Sequence, residues 1–86
     1  MRWRRFSVIC PPDASEAVCA IMQRIFGGLS VTPAPNGLRH DAYMAELADC
    51  ASAADELAEG LGAIPPELAL PTEMALSADW VEDEDW

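Results

Sequence analysis

The chain contains no lysine, and its five arginines all fall within residues 1–39. That segment holds two acids, Asp13 and Glu16, for a local charge of +3; residues 40–86 hold thirteen acids and no lysine or arginine, for −13. A total of −10 argues against direct nucleic-acid binding, because phosphates would be repelled over more than half of the chain. It fits a basic partner or a strongly solvated face. Cysteine is scarce, with three residues (Cys10, Cys19 and Cys50) and no Cys-x-x-Cys pair. The odd number and the spacing exclude a disulfide framework and point to a reducing, cytoplasmic setting with ordinary thiols. No apolar run approaches the roughly 18–20 residues of a membrane span. The arginine-rich start is followed by an apolar stretch shorter than the roughly 7–15 residues of a secretory leader. A protein with no membrane partner is expected.

What remains is 86 residues, 51% of them apolar, which fits one globular domain with a modest core. Phe6 to Cys10 alternates as a strand, with Phe6, Val8 and Cys10 on one face and Arg5, Ser7 and Ile9 on the other. Pro11-Pro12 ends it. Asp13, followed by Glu16, is the expected N-cap of a helix in a capping-box arrangement. Val18, Ile21, Met22 and Ile25 form that helix's apolar stripe, and Gly27-Gly28 closes it. Leu29 to Thr32 predicts a second strand. Pro33 to Gly37 predicts a turn carrying the Asn36-Gly37 hairpin signal. Leu38 to Met44 predicts the returning strand.

A second helix is expected from Asp49 or Ser52 to Leu61. Its buried stripe is Ala54, Leu57, Ala58 and Leu61, and its wet face is Asp55, Glu56 and Glu59. Acids in its first turn would suit the helix dipole, and Gly60 and Gly62 would weaken its end. A proline-bearing connection then leads to a last strand, Glu73 to Val81, with Met74, Leu76, Ala78 and Trp80 on one face. The order strand, helix, strand, strand, helix, strand predicts an α+β fold. It is the ferredoxin-like βαββαβ sandwich, a four-stranded antiparallel sheet with two helices on one face. In that topology the first and last strands are neighbours, so Arg2, Arg4 and Arg5 should approach the acids at 82–85, and Trp3 should meet Trp80 in the core. The domain spans 1–81, and 82–86 begins an acidic linker.

Signals for chemistry are weak. His40 is the only histidine, with no partners at metal-ligand spacing, and reads as a structural or surface residue. No thiol stands in a recognisable Cys–His nucleophile motif. Glu82-Asp83-Glu84-Asp85 lacks the spacing and glycine turn of a calcium loop. Gly27-Gly28 ends a helix and cradles no phosphate. No catalytic, cofactor-binding or metal residue is assigned. Four residues on the open sheet face, Arg5, Arg39, Asp41 and Tyr43, and three on the second helix, Asp55, Glu56 and Glu59, are the candidate partner-binding residues.

The tail Val81-Glu82-Asp83-Glu84-Asp85-Trp86 resembles the Glu-Asp-x-Asp-Trp segment that ends the N-terminal domain of bacterial methyltransferases acting on large-subunit ribosomal protein L-eleven. Trp3 beside the first strand, the junction Phe26-Gly27-Gly28-Leu29-Ser30-Val31 and the strand Asp41-Ala42-Tyr43-Met44 are similar to that family as well. Two positions depart from it: Ala45-Glu46 stands where a proline is usual, and Gly28 replaces an alanine. The resemblance implies a ferredoxin-like domain that holds a basic ribosomal protein of the large subunit. The S-adenosylmethionine-dependent transfer to a lysine or N-terminal amine would occur on a separate catalytic domain, with Glu82, Asp83, Glu84, Asp85 and Trp86 as the linker towards it. This chain would itself hold no cofactor and act as a monomer. The alternative is a stand-alone regulatory domain of the same topology, binding a small ligand or a basic protein. An RNA-recognition module would need more exposed aromatics and a basic surface, and an acylphosphatase-type hydrolase would need a positioned asparagine where only Asn36 exists.

Overall fold

The computed structural model describes residues 2–45 and 48–82. Its strands are β1 (Arg2–Cys10), β2 (Ser30–Ala34), β3 (Gly37–Ala45) and β4 (Ala75–Glu82), and its helices are α1 (Ser15–Phe26) and α2 (Cys50–Gly62). The strands form one sheet in the order β2-β3-β1-β4, with every neighbouring pair antiparallel. This is the α+β, ferredoxin-like arrangement that the element order predicts. No described helix is long and apolar enough to cross a membrane.

Strand alternation places the core. Phe6, Val8 and Cys10 of β1 lie opposite Ala42, His40 and Leu38 of β3, and all but Leu38 are buried. Val18 and Met22 of α1 and Leu57 and Leu61 of α2 close over them. A fully buried aliphatic side chain contributes about 1.5–3 kcal/mol relative to an exposed one, and these residues hold the two helices to the sheet.

Several local expectations need correction. Asp13 does not cap α1. Pro12–Ala14 forms a short 3-10 turn, closed by the Ala14 N–H donating to the Pro11 carbonyl. The helix therefore starts at Ser15 behind Ala14, with no side-chain cap, and the Asp13–Glu16 capping box is not formed. At the other end the expected glycine closure is present: Gly27 is left-handed at φ 80°, and its N–H donates to the Gln23 carbonyl. β2 starts one residue later than expected and runs through Pro33 to Ala34, which an edge strand tolerates. Gly37 follows at φ 149°, where a Cβ would lie 2.1 Å from the Cys10 carbonyl oxygen. Only glycine fits this close approach.

α2 is capped by Asp49, whose Oδ1 accepts from the Ser52 N–H at 3.0 Å. Its first turn holds no acid. Its buried face is Ala53, Leu57 and Leu61, whereas Ala58 is exposed, so the true stripe lies one position from the expected one at its start. Gly60 is a packing position: a Cβ there would stand 2.8 Å from Cγ2 of Ile21 on α1. The Trp3–Trp80 contact does not exist. Trp3 lies opposite Val81 and Arg4 opposite Trp80, so the two tryptophans project from opposite faces of the sheet. Glu82, expected to begin the linker, instead closes β4 opposite Arg2; the other residues of that expected linker, 83–86, fall outside the described residues.

Candidate functional site

Both helices pack on one side of the sheet, which leaves the other side open. Arg5, Arg39, Asp41 and Tyr43 all project from that open face, as their strand positions require. Arg5 sits in a row between Tyr43 of β3 and Asp79 of β4. Its Nε donates to Asp79 Oδ2 at 3.1 Å, and its Nη2 makes a shorter contact with the same oxygen. The Asp79 hydrogen bond, with help from Tyr43, pushes the guanidinium's proton affinity above its ordinary value.

One row along, Arg39, Ser7 and Asp41 form a closed triangle. The Arg39 Nε donates to both carboxylate oxygens of Asp41 at 3.0 and 3.2 Å. Its Nη2 donates to Ser7 Oγ at 3.2 Å, and that hydroxyl donates to Asp41 Oδ1 at 2.5 Å. Ser7, although on the open face, is buried beneath these side chains. Each such pair is worth only about 0–1 kcal/mol. Their larger effect is on the surface potential, because the two arginines neutralise the two aspartates locally.

The remaining β1 arginines lie on the helix side. Arg2 and Arg4 place their guanidinium carbons 4.5 and 4.9 Å from the Trp80 ring centre, a cation–π geometry. Asp55, Glu56 and Glu59 stand exposed on α2. Among the described residues none of the three pairs with an arginine. The seven candidate residues thus divide between opposite sides of the molecule: a neutralised sheet face and an uncompensated acidic helix face.

His40 is fully buried on the helix side of β3. Its Nδ1 lies 3.0 Å from the Val8 carbonyl and its Nε2 2.9 Å from Ser15 Oγ. A carbonyl only accepts, so Nδ1 carries the proton, and Nε2 accepts from the Ser15 hydroxyl. Cys10 Sγ is 4.0 Å from the same Nδ1, too far and on the wrong nitrogen for the ring to activate it. Burial, then the neighbouring Cys19, pushes the Cys10 thiol up. The pair is therefore packing and not a nucleophile. Of the structural and surface roles that the sequence left open for His40, the structure shows the buried, structural one, and its partner Ser15 comes from a helix start that the pattern misplaced. Among the described residues, no three metal-capable side chains gather around a common point.

The sequence matches no protein-family model and no curated protein.

Proposed function

We propose that this chain is a recognition domain for a basic protein partner, met through the outer face of α2. The observation that carries the reading is the division of charge described above. On the open sheet face Arg5 and Arg39 are paired with Asp79 and Asp41, while Arg2 and Arg4 stack on Trp80 and keep their charge at the β1–β4 end of the helix side. Asp55, Glu56 and Glu59 are turned to solvent without a compensating arginine. In a chain of charge −10 this exposed acidic cluster presents a negative potential to solvent, which raises encounter rates and sets orientation for a cationic surface.

The finer reading rests on the resemblance carried by Trp3, by Asp41-Ala42-Tyr43-Met44 and by the tail 81–86. On it the partner is a basic ribosomal protein of the large subunit. The domain holds that protein in the cytoplasm for S-adenosylmethionine-dependent amine methylation by a catalytic domain outside this chain. The open sheet face, with Tyr43 beside Arg5, is then a second contact region that supplies shape and hydrogen bonds more than charge.

The test is a titration of the domain with a basic large-subunit ribosomal protein at low and high salt. The expected result is saturable binding that weakens with salt, and weakens further in the triple variant D55N/E56Q/E59Q. An unchanged affinity in that variant would remove α2 as the docking face; absence of binding at either salt would remove the reading itself.

A further inference from the structure

The sheet has two edges, and they are protected unequally. β2 is short and carries Pro33, both of which discourage strand addition. β4 is eight residues long. It contains no proline and two acids, Asp79, which is tied to Arg5, and the terminal Glu82. On the helix side of β4, Leu76 is 40% and Trp80 43% exposed. Beside Trp80, between β1 and the start of α2, lies a groove lined by Arg4, Phe6, Cys50, Ala54 and Trp80. A long, largely apolar edge strand that pairs with no further strand among the described residues is a template for another strand.

We propose that the occupant is β4 of a second copy, paired antiparallel about a two-fold axis at Ala78. The axis stands perpendicular to the sheet, so directly opposite residues must share a face, which restricts the pairing to registers centred on a residue. Two registers engage nearly the whole strand. Centring on Asp79 sets Asp79 against its own copy and Leu76 against Glu82. Centring on Ala78 sets Leu76 against Trp80 and Trp80 against Leu76, and places Ser77 opposite Asp79 on the open face. The first opposes like charges directly, which destabilises a ladder; the second joins an aliphatic to an aromatic twice. The edge is self-complementary in one register only. The product is a continuous eight-stranded sheet with all four helices on one side, which leaves the α2 faces and the open sheet faces free. This departs from the monomer expected from sequence.

Each copy carries −10, so self-association strengthens with salt as screening shortens the repulsion. That dependence is opposite in sign to the one expected for a basic partner, which separates the two processes. The experiment is sedimentation of the full chain from low to high micromolar concentration, at low and high salt, with two variants of the exposed Ser77. S77R places an arginine against the partner's Asp79 at two symmetric points and should tighten the dimer by roughly 2- to 30-fold. S77D places like charges there and should loosen it by a similar factor. A third variant, L76E, removes the Leu76–Trp80 contact and should also loosen it. A monomer at every concentration and salt overturns the proposal. A dimer indifferent to the sign of the charge at position 77 overturns it too, because the interface would then lie elsewhere or in another register.

Discussion

Replacing Gly60 with alanine adds one methyl group where α1 and α2 come closest. The new Cβ would stand 2.8 Å from Ile21 Cγ2, against an optimal carbon–carbon separation of about 3.5–4.0 Å. The shortfall approaches 1 Å. Ile21 is β-branched and stiff in a helix, so its Cγ2 has little freedom to turn aside. The helices must then separate or the backbone shift, and overpacking of this kind costs about 1–3 kcal/mol. Alanine in a helix interior returns about 1 kcal/mol over glycine. The balance is destabilisation of about 0–2 kcal/mol. Gly62, two residues on in the same helix, supplies the control, because a Cβ there meets nothing within 4 Å. G62A should gain helix propensity without a clash and stabilise the protein. Urea unfolding followed by circular dichroism measures both. With a slope of about 1 kcal/mol/M for a domain of this size, G60A should lower the midpoint by up to about 2 M while G62A raises it. Adding I21A to G60A should relieve the clash and expose a coupling of about 0.5–3 kcal/mol between the two sites. If G60A were as stabilising as G62A, the close approach of the two helices would be refuted.

Cys10 should resist alkylation in the folded protein, since it is buried and its thiol is held in the neutral form; iodoacetamide followed by peptide mass mapping should modify Cys19 and Cys50 first, and early labelling of Cys10 would contradict the packing. The Ser52 N–H holds the Asp49 carboxyl below its ordinary range. The stability it adds to α2 is present above the unfolded value, about pH 4, and is lost as pH falls through the lower folded value. D49N keeps an accepting oxygen at the cap but cannot titrate, so its acid unfolding curve should lack this component; an identical acid limb in the two proteins would show that the cap does not titrate with folding. S15A strips the Nε2 of His40 of its hydrogen bond at a buried site and should cost about 1–3 kcal/mol, while S15T restores it; a neutral S15A would mean that another donor reaches the ring.

The elements that sequence made legible are those whose signals are local. The period-2 alternation of Phe6, Val8 and Cys10 and the 3.6-period stripe of Val18, Ile21, Met22 and Ile25 survive in the structure, as does the closure of α1 at Gly27. The topology followed from their order. What failed depended on residues far apart in the chain. Asp13 looked like a cap because the cost of a helix start is local, but the double proline feeds a 3-10 turn and shifts the start to Ser15. Trp3 and Trp80 were expected to meet because strand neighbours were legible while the register that separates their faces was not. Alanine obscures the phase of α2, because Ala53 and Ala58 carry almost no directional signal. The candidate binding residues were placed on their surfaces correctly in outline. Their mutual pairing, which leaves Arg5 and Arg39 with little charge to offer, became visible only when Asp79 and Ser7 were brought beside them from other strands.

The buried imidazole has a consequence for errors in strand assembly. A slip of β3 by one residue against β1 would turn its apolar face outward and is rejected at once. A slip by two is more dangerous, because it preserves the alternation: Leu38, Ala42 and their opposites are all apolar, and burial alone scarcely distinguishes the shifted pairing. His40 does distinguish it. Only opposite Val8 does the ring find a carbonyl for Nδ1 and the Ser15 hydroxyl for Nε2. Shifted by two, the ring would still meet a strand carbonyl, but it would move roughly 7 Å along the strand, away from the Ser15 hydroxyl, and its Nε2 would be buried unanswered. The one histidine in the chain therefore works as an indexing pin, fixing which of two equally greasy alignments the sheet accepts.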